Sequence, residues 1–136
     1  GDNDSVYGDS GHDVIGGGSG SDALWGGSGS DTMSGSDGDD TLGGGTGNDS
    51  MTGGSGSDRI IFYSDFGQDI ITDFDVAVLG DKIDLTWVSQ ITGFTDLQTN
   101  HLSQAGSNAV ISDGTGNTIT LTGVHMSSLT ADNFIF

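Results

Sequence analysis

Residues 17–34 read GGSGSDALWGGSGSDTMS, two nonapeptides in tandem, and the hexapeptide GGSGSD returns at Gly53–Asp58. This stretch offers almost no side chain to pack and one group in nine that ionises. A flexible Gly/Ser linker has a similar composition, but a linker does not hold register. Working outward, units of nine run from Gly8 to Ile61: GDSGHDVIG, GGSGSDALW, GGSGSDTMS, GSDGDDTLG, GGTGNDSMT and GGSGSDRII. A shorter stretch, GDNDSVY, precedes them. The sixth position is always Asp (Asp13, Asp22, Asp31, Asp40, Asp49, Asp58), with Asp4 in register before them. The eighth is always apolar (Ile15, Leu24, Met33, Leu42, Met51, Ile60), with Val6 in register. The fourth is always Gly.

A period of nine is two and a half helical turns, which would set successive apolar residues on opposite sides, so a helix is excluded. The period suits a turn of about six residues followed by a strand of about three, in which only position eight faces inward. Two units then close one coil of a flattened solenoid, with a strand on each side and a Gly-rich turn at each edge. The expected fold is all-β, a parallel β-roll of two facing sheets.

Composition narrows the partners. The chain has 136 residues and a formal net charge of -18; all 20 acidic residues are Asp, and Arg59 and Lys82 are the basic ones. Nucleic acid and anionic membrane surfaces are poor partners for such a chain. There is no Cys, hence no disulfide or thiolate site. No apolar run approaches the roughly 18 residues of a membrane span. No basic-then-apolar leader opens the chain, and without an initial Met it reads as part of a longer protein. Composition changes near residue 61. Glycine dominates before it, whereas Phe62, Tyr63, Phe66, Phe74, Trp87, Phe94, Phe134 and Phe136 follow it. The expected domains are residues 1–61, the repeat roll, and residues 62–136, a β-rich cap, because an open solenoid end needs covering. In the cap, KIDLTWV alternates with Ile83, Leu85 and Trp87 on one face, and NTITLTGV with Ile119 and Leu121. DGTGN reads as a turn, and TDLQTNHLSQA as a short helix.

Stacked turns gather carbonyls and carboxylates into columns, and like charges a few Å apart repel. A hard, oxygen-seeking cation resolves this. Ca²⁺ accepts about 6 to 8 oxygens, carbonyls included. Glycine at positions one, two and four lets the main chain approach an ion without a Cβ in the way, and Asp has the short arm that a mostly main-chain site needs. Zn²⁺ prefers His and Cys, Mg²⁺ wants strict octahedral geometry, and an EF-hand ends in Glu, which this chain lacks. Six ions would bring -18 to about -6. At ten times Kd each site adds about 1.4 kcal/mol, so six approach the whole stability of a domain. A chain unfolded at low Ca²⁺ and folded at high Ca²⁺ follows.

These units resemble the GGxGxDxUx nonapeptide (U, a large apolar residue) of the RTX, or haemolysin-type calcium-binding, family. The segments DRIIFY, GQDIITDFD, GDKIDLTWV, NTITLTGV and SSLTADNFIF are similar to the tail that caps such rolls in serralysin-type proteases, lipases and mannuronan C5-epimerase R-modules. The resemblance implies a right-handed parallel β-roll holding about 4 to 6 Ca²⁺ between turns two units apart. It implies an extracellular, secreted, monomeric module exported by type I secretion machinery. Carried over by position, ions lie between Asp13 and Asp31, Asp22 and Asp40, Asp31 and Asp49, and Asp40 and Asp58, with Asp4 and Asp22 as a weaker pair. Asp81, in GDKIDL, resembles the closing ligand and is expected to partner Asp49. Carbonyls come from the turns, at Gly18, Gly27, Gly45 and Gly54 in position two and Gly11, Gly20, Gly29, Gly38, Gly47 and Gly56 in position four. Ser36 replaces the second Gly of its unit, and Asp9 does so in the first. Asp132, Phe134, Ile135 and Phe136 are read as part of the export signal, or as a final strand.

No HExxH or GxSxG motif occurs, and His12, His101 and His125 are scattered, so a non-catalytic module is expected. The second expectation, from a different class, is an auxiliary module that binds an acidic polysaccharide of the alginate type, although two basic residues form a sparse anion-binding stripe.

Overall fold

A computed structural model of the chain describes every residue except Val78. The repeats form strands β1 (Ser5–Tyr7), β2 (Val14–Ser19), β3 (Ala23–Ser28), β4 (Thr32–Asp37), β5 (Thr41–Thr46), β6 (Ser50–Ser55) and β7 (Arg59–Ile61). Beyond them come β8 (Gln68–Ile71), β9 (Lys82–Asp84), β10 (Leu102–Ala105), β11 (Asn108–Ser112), β12 (Thr118–Leu121) and β13 (Phe134–Ile135). Odd and even repeats alternate between two sheets, in the orders β1-β3-β5-β7-β9-β13 and β10-β11-β12-β8-β6-β4-β2. Every pairing among the repeat strands is parallel, with partners eighteen residues apart, such as Leu24↔Leu42 and Met33↔Met51. The chain is therefore a parallel β-roll of two units per coil.

Position eight fills the space between the sheets. One row runs Val6, Leu24, Leu42, Ile60, Ile83 and Phe134; the facing row runs Ile15, Met33, Met51, Ile71 and Leu121. From Leu24 to Ile83 the first row is fully buried, and each such side chain contributes about 1.5–3 kcal/mol. Strands β2 to β6 are six residues long rather than about three. The ladder continues through the glycines because Gly20 N–H donates to Asp37 O (2.9 Å) and Gly29 N–H to Thr46 O (2.8 Å). A second inward position results. Gly26, Gly35, Gly44 and Gly53, at position one, face the interior beside the apolar row.

The compositional change near residue 61 does not interrupt the sheets. β8 pairs with β6 on one side and β12 on the other, and β9 joins β7 to β13. One hydrophobic core spans both halves. Antiparallel β10–β11–β12 closes the even sheet. A short helix, α1 (Phe94–Asp96), continues as a π-type turn over Leu97–His101, burying Leu97. The expected helix therefore ends before LSQA, which Gly106 (φ 63°) turns into a hairpin with β11. KIDLTWV also departs from simple alternation. The strand stops at Asp84, whose Oδ1 accepts Thr86 N–H (3.0 Å), and Val88 takes the buried place while Trp87 turns outward onto Tyr63. At the C-terminus Phe134 packs on Phe94 (centroids 5.8 Å apart), and Asn133 donates to Val76 O (3.3 Å).

Turns stack closely enough to demand glycine. A Cβ on Gly29 would overlap the Gly11 carbonyl oxygen. Ser36, where other units carry Gly, is held at φ 86°. Ser36→Gly should stabilise the fold by about 0.5–1 kcal/mol by relieving a left-handed side chain. Gly29→Ala should destabilise it by about 2 kcal/mol or more. Denaturant unfolding in Ca²⁺ measures both.

Candidate metal centre

The carboxylates at position six form two columns, one along each edge of the roll. Asp13 N–H donates to Asp31 Oδ1, and Asp31 N–H to Asp49 Oδ1, each at 2.8 Å. On the other edge Asp4 N–H donates to Asp22, Asp22 to Asp40, and Asp40 to Asp58, again to Oδ1 at 2.8 Å. One oxygen of Asp22, Asp31, Asp40, Asp49 and Asp58 thus serves the neighbouring turn. The other oxygen is buried without a partner: this holds for Oδ2 of Asp13, Asp22, Asp31, Asp40, Asp49 and Asp58. Asp22, Asp31, Asp40, Asp49 and Asp58 are themselves nearly inaccessible, and a buried carboxylate oxygen without a donor or cation is strongly unfavourable.

The orphan oxygens face main chain. A Cβ on Gly17 would overlap Asp22 Oδ2 and lie 2.9 Å from the Gly35 carbonyl oxygen. A Cβ on Gly35 would overlap Asp40 Oδ2 and lie 2.6 Å from Gly53 O. Position-one glycine thus leaves open the space where carboxylate and carbonyl oxygens converge. Among the described residues no three His, Cys, Asp or Glu side chains gather at one point. A cation here takes most of its ligands from carbonyls, as a hard, flexible ion such as Ca²⁺ does. The position-two and position-four glycines lie in the same stacked turns, with the Gly20 carbonyl against Gly38 and the Gly27 carbonyl against Gly45.

The closing residues of the two columns differ from the sequence-based expectation. Asp49 does not reach Asp81. Its N–H donates to Asp69 Oδ1 (2.8 Å), whereas Asp81 Oδ1 accepts from Asp58 N–H (3.0 Å) and Oδ2 from Asp75 N–H (2.8 Å). Strand parity decides this: β8 follows β6 in one sheet and β9 follows β7 in the other, so each column gains its own closing Asp. The signal was present in Gly67-Gln68-Asp69-Ile70-Ile71, a degenerate G-x-D-x-U, displaced by the two extra residues before it. The position-one glycines, expected with those at positions two and four to let the main chain approach an ion, keep that space open in each unit from Gly17 to Gly53. His12 is also engaged, since its Nδ1 accepts Ser30 N–H (2.9 Å).

The sequence-derived tail residues are built into the fold. Phe134 and Ile135 form β13, Phe136 stacks on Phe134 at 6.0 Å, and the Asp132 carbonyl accepts from Lys82 Nζ. Beside them Asp84 is buried, which opposes ionisation, yet hydrogen bonds from Thr86 and Arg59 hold its carboxyl below the ordinary range.

Burial pushes the carboxyls of Asp40, Asp49, Asp58, Asp69 and Asp81 upward. Asp58 rises from 3.8 to about 6 and Asp69 to about 8, burial first and repulsion from neighbouring carboxylates adding to it. Asp40, Asp49 and Asp81 shift upward for the same leading reason. The metal-free roll consequently holds protons that the unfolded chain has released. This stability is complete below about 3.8 and is lost as pH rises through about 6 and then about 8. Metal-free chain should gain β-structure by circular dichroism between pH 8 and pH 5, and saturating Ca²⁺ should flatten that dependence.

Three comparisons bear on this geometry. None of the curated protein sequences matches the chain. In solved structures, the fold is similar to the extracellular lipase LipA from Serratia marcescens, with TM-score 0.78, 23% identity, and 97% of this chain but 20% of the lipase covered. It is also similar to the AlgE6R3 subunit of the Azotobacter vinelandii mannuronan C5-epimerase, with TM-score 0.68, 31% identity and coverage of 92% of this chain and 78% of that one. The AlgE6R2 subunit gives 0.68, 26%, 99% and 92% respectively. The model of the RTX calcium-binding nonapeptide repeat (4 copies) matches residues 1–24, 25–60 and 34–71. With that match and the two carboxylate columns, the chain belongs to the RTX calcium-binding nonapeptide-repeat family.

Proposed function

We propose that this chain is a non-catalytic, calcium-dependent folding module that serves a secreted protein. The carrying observation is the set of six buried Oδ2 atoms without partners. Asp13, Asp22, Asp31, Asp40, Asp49 and Asp58 are the principal ligands, Asp69 and Asp81 close the two columns, and Asp4 is the weakest member because it is exposed. Bound Ca²⁺ supplies the positive charge and the oxygen coordination that make those carboxylates compatible with burial. The chain's own part is to present one carboxylate oxygen and stacked carbonyls at each turn, and to keep side chains out of the cavity. Without a cation the columns repel, and glycine-rich turns favour the unfolded ensemble.

A secretory role is supported by the extracellular lipase similarity and by this switch. A chain that stays unfolded at low intracellular Ca²⁺ passes through a type I exporter and folds at extracellular Ca²⁺, where such modules bind at about 10⁻⁴ to 10⁻³ M. Asp132, Phe134, Ile135 and Phe136 are then read in the unfolded chain, and Phe134 is buried in the folded one.

A second reading, auxiliary binding of an acidic polysaccharide, rests on the outer face of the odd sheet. Arg59 stands opposite Lys82, and Tyr7 opposite Trp25. The stacked and exposed Tyr63–Trp87 pair lies beyond β7 and β9. The similarity to epimerase subunits points the same way.

Circular dichroism during Ca²⁺ titration should show a cooperative coil-to-β transition; its absence would sink the folding proposal. Asp40→Ala, which touches two carboxylate pairings, should raise the Ca²⁺ midpoint more than Asp4→Ala. Alginate oligomers added at fixed Ca²⁺ should shift Trp25 and Trp87 resonances if the second reading holds, and no heat and no shifts would remove it.

A further inference from the structure

Position three of the repeat is Ser or Thr in five of the six units (Ser10, Ser19, Ser28, Thr46, Ser55) and Asp37 in the fourth. Because position four is always Gly, this one replacement places Asp37-Gly38 inside the roll. In an Asp-Gly pair the side chain and the main chain react with each other, since glycine has no Cβ to screen its nitrogen. The Gly38 nitrogen attacks Cγ of the Asp37 carboxyl. A C–N bond forms, a C–O bond breaks, and water leaves with the amide proton. Water then opens the succinimide ring. Opening at the main-chain carbonyl leaves the chain running through Cγ, as isoaspartate. No oxidant, reductant or cofactor is consumed.

The roll ties both reacting groups to one residue. Gly38 N–H donates to Ser55 O (2.8 Å), and Ser55 Oγ donates to Asp37 Oδ1 (3.0 Å). From the other side Gly20 N–H donates to the Asp37 carbonyl (2.9 Å), so this peptide is held between β2 and β6. Ring closure requires it to rotate out of both ladders. Asp37 is exposed to water, so geometry alone keeps the pair apart.

The second such pair, Asp113-Gly114, is guarded differently. Its carboxylate accepts from Thr115 N–H (2.8 Å) and Asn117 Nδ2 (2.6 Å), and Gly114 N–H donates to Ser112 Oγ (3.2 Å). Burial opposes ionisation there, yet hydrogen bonds from Asn117 and Thr115 hold the carboxyl below its ordinary range. Those partners lie in the same turn of the cap. Ser55 is eighteen residues from Asp37 and reaches it only when coils stack.

We propose that Asp37-Gly38 is a self-modification site gated by folding: closed while the coils are stacked in Ca²⁺, and converted to isoaspartate when the chain stays unfolded. The product no longer fits the roll. Isoaspartate adds one main-chain carbon before Gly38, where a Cβ would already overlap the Gly20 carbonyl oxygen and where a Cβ on Gly56 would overlap that of Gly38. The extra carbon also moves Asp40 out of register with Asp22 and Asp58, its hydrogen-bond partners. A chain that lingers without Ca²⁺ thus loses its ability to fold. The role of Ca²⁺ in this gate rests on the calcium reading of the columns.

The test ages the full chain at neutral pH in saturating Ca²⁺, in chelator, and in chelator with urea. Fragment-ion mass spectrometry that separates isoaspartate from aspartate reads residue 37. Isoaspartate should form about tenfold or more faster in urea than in Ca²⁺, because the reaction follows the opened population. The chelator sample should match the urea sample. Circular dichroism of fresh chain in chelator tests the calcium reading separately: retained β-structure there would remove that reading, while the urea sample still decides whether stacking closes the site. Asp37→Ser, which carries the residue of neighbouring units, removes the reacting carboxyl. After ageing in chelator and return to Ca²⁺, wild-type chain should recover a smaller share of its fresh β-structure than Asp37→Ser recovers of its own. Equal rates in Ca²⁺ and urea, no isoaspartate at residue 37 in urea, or equal recovery of the two chains would overturn the inference.

Discussion

The roll depends on one hydrogen bond repeated along each edge, from the N–H of an Asp to one carboxylate oxygen of the Asp a coil further on. It fixes the side chain so that the second oxygen turns inward, away from water. Each turn thereby becomes half of an anion-rich cavity, and the fold carries an electrostatic debt in proportion to its length. Hydrophobic burial from a single row of Leu, Ile and Met on each sheet is too thin to offset that alone. The same feature that orders the turns makes order conditional on a cation.

The glycines make sense on this view as an arrangement of space. Position one lies inside, between carboxylate and carbonyl; positions two and four let successive turns approach until carbonyl oxygens nearly meet the next backbone. Flexibility in the unfolded chain and close approach in the folded one are two effects of the same missing Cβ. Ser36 shows that one position tolerates a side chain when it points away from the stack, at the expense of a left-handed backbone. Gly29 has no such latitude.

Much of this was legible in the sequence because the period is strict. Nine residues exclude a helix, and invariant Asp and apolar positions give the edge columns and the core rows directly. Legibility fell where strict repetition ended. The number of residues per strand was underestimated because the ladder runs on through glycines that carry no strand propensity. Asp69 was missed because two inserted residues moved it out of phase, and Asp81 was assigned to the wrong column because parity of strands across the two sheets is a property of the coil. Trp87 was placed inside by alternation, but Asp84 ends its strand with a hydrogen bond to Thr86 and the phase is lost.

Repetition also carries a hazard of misregistration. Identical GGSGSD units could pair one coil out of step and still satisfy most ladder bonds and apolar contacts. The Trp25 ring lies over Gly43, close enough that a Cβ there would sit 2.5 Å from it. A slip of one coil would set that indole against Ile61 instead. Together with the altered spacings to Asp69 and Asp81, this single bulky residue on an otherwise bare strand acts as a notch that tells each coil which neighbour is its own.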